Sequence, residues 1–364
     1  MDETPLFLDR AKLLAGDVAV ARLESLQRSG ELHRLRRGRY IAGEVWARST
    51  EQERHRLRAL ELGGELGGRA VISHESAALL LGLELPAGPP GKVHVTWPGS
   101  PGRRATTNVH PHRGRLDRQD LTLVEGVLTT CAARTVFDVA RSSTPERTLA
   151  AADSALRLNL TTAAQLRAVI ERNPGIPGAF LACRLLAFAD ARAESVGESI
   201  CRLRMAQLGL PIPELQTEIR LAGQGTTARV DFDFAGQRTV CEFDGRVKYG
   251  RLLQPGQSPG DAVFHEKVRE DRIRDTGRQM VRVTWADLAR GAAVLQRFGA
   301  AFARAGCPDW RPEPRRFLTA ADLSLPQQIS PRGASPQPVA AAHAAHRSPR
   351  SPRSPSRMTT DQVV

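Results

Sequence analysis

Two short stretches, Arg229-Val-Asp-Phe-Asp-Phe234 and Thr239-Val-Cys-Glu-Phe-Asp-Gly245, decide how this chain folds. Alternation of apolar and acidic residues marks both as strands. It puts Val230, Phe232 and Phe234 on one face of the first and Asp231 and Asp233 on the other. In the second, Cys241 and Phe243 oppose Glu242 and Asp244. Ala235-Gly-Gln-Arg238 is the turn of a hairpin. Up to four carboxylates then crowd one face, where like charges on paired strands are destabilising. The apolar neighbours Val240 and Val247 make the strands mostly buried, which makes unpaired carboxylates costlier still. A chain keeps such a cluster when something positive neutralises it, and a hard divalent cation (Mg or Mn) with oxygen ligands is the usual candidate. Lys248 lies just beyond, placed to pair with a carboxylate, position a water or contact a phosphate. The plainer alternative is an exposed acidic hairpin paired with local arginines.

Working outward, Glu194 and Glu198 stand four apart on a helix expected over 177–208 and so share a face. Arg202, four further on, is a solvated partner for Glu198. Downstream of a Gly/Pro/Gln loop at 250–260, His265-Glu-Lys-Val-Arg-Glu-Asp-Arg-Ile-Arg274 reads as a highly charged helix that Gly277 ends. Gln279-Met-Val-Arg-Val-Thr-Trp285 is a last strand, followed by a helix from Ala286. The order is helix, strand, acidic strand, acidic strand, basic helix, strand, helix.

That order, with Glu198, Asp231 and Glu242 in sequence, resembles the PD-(D/E)XK restriction-endonuclease fold. The run "VDFDF…VCEFDGRVKY…REDRIR…RQMVRVTW" is similar to the domain related to very-short-patch-repair endonucleases, over about 190–292. The resemblance implies a Mg-dependent phosphodiester hydrolase in which Asp231 and Glu242 hold the metal and Glu198 assists from the helix. It implies that Arg272 faces the nucleic-acid backbone or locks the acidic cluster. The family pattern has Lys two residues after Glu242, where this chain has Asp244. Either Lys248 substitutes and Asp244 is a further ligand, or the domain binds without cleaving.

The N-terminus points to nucleic acid by a separate route. Ala19–Gly30 reads as a helix with Val20, Leu23 and Leu26 on its apolar face. Leu32-His-Arg-Leu-Arg-Arg-Gly-Arg-Tyr-Ile41 follows as a hairpin turning near Gly38. Arg22, Arg28, Arg34, Arg36, Arg37 and Arg39 lie here against two glutamates. A short helix and a basic hairpin make the pattern of a winged helix-turn-helix, whose wing contacts phosphates. With Ile72–Leu83 and the strand Lys92–Pro98, this region resembles the AbiEi-type antitoxins and transcriptional regulators of abortive-infection systems, over about residues 8–140. In between, Ser73 is positioned to cap a helix, and Val124–Leu128 is strand-like. His94, His110 and His112 have no acidic or cysteine partner at ligand spacing, so they read as structural.

The chain has 364 residues, with 52 Lys+Arg against 39 Asp+Glu and a net charge of +13. Only four of the basic residues are lysines, and guanidinium grips phosphate bidentately. No apolar run approaches a membrane span, and the start lacks a signal peptide's regions. Five scattered cysteines without a CxxC pair argue against a disulfide framework or a zinc ribbon and for a reduced, cytoplasmic protein.

The expected architecture is mixed α/β. A winged helix-turn-helix spans 1–45, an α+β middle region with a helical connector 46–190, and a restriction-endonuclease-like mixed sheet flanked by helices 191–305. A disordered Pro/Ser/Arg-rich tail occupies 311–364. The functional expectation is a DNA-binding protein with a Mg-dependent endonuclease-like domain. The alternative is a non-catalytic antitoxin-like regulator with a toxin partner; a charged scaffold without nucleic acid is the third reading. No membrane and no small-molecule cofactor is expected.

Overall fold

Each of three consecutive stretches of this mixed α/β chain builds its own sheet. The computed structural model describes residues 7–15, 20–88, 91–99, 106–221, 226–245 and 259–314, all in one compact unit. Lys248 and nearly all of the expected tail lie outside the described residues.

The first stretch comprises β1 (Leu8–Asp9), α1 (Arg10–Ala15), α2 (Val20–Arg28), β2 (Leu32–Arg36), β3 (Arg39–Ala42) and α3 (Gly43–Arg48). The hairpin turns at Gly38, with φ +78°, and β1 joins as a third antiparallel strand. Leu23, Tyr40 and Ile41 are buried beneath it, whereas Val20, expected on the apolar face, is exposed. Gly43 is irreplaceable on steric grounds: an added Cβ would sit 1.6 Å from the Gly30 carbonyl oxygen. Next comes α4 (Glu51–Leu66), opened by a Thr50/Glu53 capping box and closed by left-handed Gly67.

The second stretch holds β4 (Val71–Ile72), α5 (His74–Leu80), β5 (Val93–Trp97), β6 (Val109–Arg113), β7 (Leu121–Val124) and β8 (Val127–Thr130). The sheet order is β6-β5-β4-β8-β7, with β5/β6 and β4/β8 parallel. The strand expected at 124–128 is in fact a hairpin corner. Glu125 and Gly126 both take positive φ, as a tight two-residue turn between twisted strands requires. Ser73 precedes α5 but makes no capping bond, because its hydroxyl is used by His74 and Thr96.

Four helices follow: α6 (Ala132–Ser142), α7 (Pro145–Arg157), α8 (Ala163–Arg172) and α9 (Ala179–Ala187). They close a core around Val136, Phe137, Ala151 and Leu166. The helix expected over 177–208 is broken between α9 and α10 (Val196–Leu208). Asp190 donates its N–H to Asp153 there, and Ser195 caps the new helix by accepting from the Glu198 N–H.

The third stretch, from α10, continues with β9 (Glu214–Arg220), β10 (Thr227–Phe234), β11 (Thr239–Asp244), α11 (Pro259–Asp275), β12 (Gln279–Thr284), α12 (Trp285–Leu288) and α13 (Gly291–Arg304). The sheet order is β12-β11-β10-β9, with β11/β12 parallel, as a crossover through α11 demands. The expected succession of elements is therefore present. The expected face assignment holds for β11 but fails at Val230 of β10. Phe232 and Phe234 pack with Cys241, Phe243, Phe298 and Phe302, whereas Val230 packs with Val240 and Ile273 on the other side. The strand rolls over between Val230 and Phe232, opposite Gln216 of β9, which takes φ +52°. Among the described residues no helix is long and apolar enough to cross a membrane.

Candidate acidic site

The roll of β10 puts Asp231 where the β10/β11 ladder opens. The last paired residues are Phe232 and Cys241, and the next N–H of β11, that of Phe243, donates to Asp231 Oδ2 at 2.9 Å. A side chain thus takes a hydrogen bond that a backbone carbonyl supplies in an unbroken ladder. Glu242, beside this fork, points toward α11. Arg269 reaches it at 2.6 Å and Arg282 of β12 at 3.7 Å. Burial pushes the Glu242 carboxyl up, with Glu266 and Asp231 adding to the rise and Arg269 opposing it.

Glu198 arrives from the start of α10. Its carboxylate accepts from the Glu194 N–H and Ser195 Oγ, both at 2.9 Å, and from Gln216 Nε2 at 2.9 Å. It is buried, and burial raises its carboxyl, with Asp231 the nearby charge that raises it further. Asp231 therefore stands close enough for its charge to act on both glutamates, although the carboxylate oxygens of the three do not all come within 4.8 Å of one another. The solvated Glu198–Arg202 pair does not form, because Arg202 is turned inward to Asp153. Glu194 precedes the helix and instead pairs with Arg229.

Gly197 makes this approach possible. A Cβ there would lie 2.1 Å from the Phe243 ring, which is held edge-on to Trp285. Gly197→Ala is expected to cost about 2 kcal/mol through overpacking and to push Phe243 off the fork; thermal melts and near-ultraviolet circular dichroism would check it, and an unchanged melting temperature would refute the tight contact.

Two further acidic residues were expected here. Asp233 is buried one step back along β10 and held by Arg278 at 3.2 Å, so it is a structural pair. Asp244 is half-buried at the end of β11, opposite Thr284 of β12. Arg272 is exposed; the cation on the acidic cluster is Arg269, one turn earlier. The oxygen-only donors suit a hard divalent cation. Arg269 and Arg282 face Glu242, Glu266 and Glu270, with Asp231 and Glu198 adjoining, so negative charge is in excess.

The basic hairpin is also divided. Arg36 binds buried Glu61 and exposed Glu65 of α4; Arg39 binds Glu61 and Asp9. Arg22, Arg28, Arg34 and Arg37 are exposed and carry no carboxylate partner among the described residues.

Sequence reasoning passed over one group: it read His94 and His112 as structural and did not bring His74 to them. His74, His94 and His112 bring one ring nitrogen each within 4.8 Å of one another, which no other trio of His, Cys, Asp or Glu does among the described residues. Burial lowers all three, His94 to about 4 and His112 to about 3. The available signal was the alternation of His110-Pro-His112, which puts both rings on the face of β6 that adjoins His94.

No protein-family model matches the chain. A solved structure, that of the RV2827C protein from Mycobacterium tuberculosis, overlaps 50% of this chain and 72% of its own, at 17% identity and a TM-score of 0.35. The uncharacterized proteins Rv2248 (strain H37Rv) and MT2308 (strain CDC 1551) of M. tuberculosis are each 32% identical over 238 residues, 65% of this chain and 81% of theirs. At that identity and coverage, the chain belongs to the same family as the uncharacterized protein Rv2248 of Mycobacterium tuberculosis.

Proposed function

We propose that this chain is a DNA-binding, cytoplasmic endonuclease that hydrolyses phosphodiester bonds at the β10/β11 fork with Mg or Mn. The observation that carries this reading is that Asp231, at the point where two strands part, acts by its charge on both Glu198 of α10 and Glu242 of β11. Asp231 and Glu242 are the residues that would hold the cation, which when bound acidifies a water and offsets charge on the leaving oxygen. Phe243 orients Asp231 through its N–H, and Glu198 is fixed by three donors. Arg269 and Arg282 supply positive charge beside the fork, available to a phosphate once Glu242 is otherwise engaged. Arg22 and Arg28 of α2, with Arg34 and Arg37 of the hairpin, offer a second, separate phosphate contact. The five unpaired cysteines accord with a reducing compartment.

A second reading rests on a specific observation. Glu242 is closed by Arg269, and Asp244 occupies the position where a nuclease of this pattern has lysine. That fits a regulator which binds DNA, with a toxin as partner, and does not cut. Supercoiled plasmid incubated with the purified chain and Mg²⁺ or Mn²⁺ separates the two. Nicking that falls at least about a hundredfold in Asp231→Ala supports the first reading; nicking that persists in this variant removes the proposed site. Retention of duplex without any cleavage favours the regulator.

A further inference from the structure

Three histidines from three elements meet on the middle sheet, far in character from the oxygen-rich fork. His74 opens α5, His94 lies on β5 and His112 on β6. His112 Nε2 is 2.9 Å from His94 Nδ1, and the His74 and His112 rings stack at 3.5 Å. No carboxylate among the described residues joins them. Among the described residues, their ring nitrogens are hydrogen-bonded to Ser73, Arg141 and one another. Glu75, the nearest candidate, is taken by Arg147 and Ser143.

The surroundings are those of ligands held in place. Ser73 Oγ lies 2.9 Å from His74 Nδ1, which leaves Nε2 for the cluster, and Ser73 is itself tied to Thr96 at 2.8 Å. The His94 backbone N–H donates to Ser76 Oγ at 2.8 Å, which holds its strand in place. A ring hydrogen bond such as that between His74 and Ser73 fixes the tautomer and orientation of a metal-binding histidine. His74 also keeps φ +53°, a left-handed conformation that a bulky residue adopts at a cost and that concentrates at functional sites.

We propose that His74, His94 and His112 bind a late first-row transition-metal dication, Zn²⁺, Ni²⁺ or Co²⁺, leaving one coordination position open. Imidazole nitrogen suits these ions and not Mg²⁺. Metal–nitrogen bonds of about 2.0–2.1 Å set the ligand nitrogens about 3.3 Å apart, within the present span. Arg141 Nη2 stands 3.3 Å from His74 Nε2 and must swing away; Asp138, its partner at 3.0 Å, keeps it close by.

The test is calorimetric titration of the full chain, stripped with EDTA, with ZnCl₂, and the visible spectrum with Co²⁺. The expected result is saturable binding of one equivalent that weakens at least a hundredfold in His94→Gln and His112→Gln. His110→Ala, an exposed neighbouring ring, leaves the affinity unchanged. Arg141→Gln tightens it several-fold, because a competing cation is gone, and this gain decides the matter if a histidine variant does not fold. Absence of stoichiometric binding at micromolar metal overturns the proposal. So does affinity unaltered in His94→Gln and His112→Gln, or an Arg141→Gln variant that binds no tighter.

Discussion

Asp153→Ala is expected to destabilise the fold by about 3–5 kcal/mol, and Arg202→Met by about 1–3 kcal/mol. Both residues are buried, and Arg202 Nη2 meets the Asp153 oxygens at 2.9 and 3.1 Å. Ser199 Oγ and the Asp190 N–H complete the carboxylate's shell at 2.8 and 2.7 Å. The asymmetry follows from what each survivor can do. A guanidinium does not shed its proton, so without Asp153 a charge stays trapped beneath Phe188, over which it stacks at 4.4 Å. A carboxyl can take up a proton, and burial already pushes that of Asp153 upward. Urea unfolding at neutral pH measures both; the account fails if Arg202→Met is the more damaging. The pair ties α7 to α10, so its loss loosens the helix that presents Glu198.

Acid should weaken the middle sheet through His55. This ring is fully buried and bonded to Ser76 Oγ at 2.7 Å. Burial, followed by the charges of His94 and Arg58, lowers it from its ordinary 6.5 to about 4. Between those values the unfolded chain binds a proton that the folded chain refuses. Stability is therefore complete above pH 6.5 and declines as pH falls toward 4, by roughly 3 kcal/mol from this residue. Urea melts in EDTA at pH 7.5, 5.5 and 4.5 should show the decline in the parent and a shallower one in His55→Gln. Equal slopes in the two would refute the assignment.

The C-terminal sheet was legible because each strand carries its own alternation and each helix its own charge run; the order from α10 to α13 stands as read. What alternation could not show is the roll at Asp231. It depends on Gln216, fifteen positions before Asp231 and opposite it once the chain is folded, taking a left-handed conformation. The residues of the cluster were identifiable by type, but their counter-ions were not: Arg269 rather than Arg272 reaches Glu242, a difference of helical phase beside a segment whose length hides the register. The histidine grouping was passed over for a topological reason. β5 and β6 run parallel although only eleven residues separate them, close to the minimum for a parallel crossover. An antiparallel hairpin is the default at that spacing, and it would have paired different residues.

Glu61 has a consequence for how the hairpin meets a polyanion. By holding Arg36 and Arg39 from below, it withdraws two of six guanidiniums from the outer surface. A duplex lying on this face would exchange the counterions of four phosphates, not six, and the logarithm of its affinity would fall with the logarithm of salt at a slope of about −3.6 rather than about −5.4. One buried carboxylate therefore makes the surface a milder ion exchanger than its sequence suggests, and would leave a nucleic acid held there, as proposed above, less sensitive to the salt of the cell.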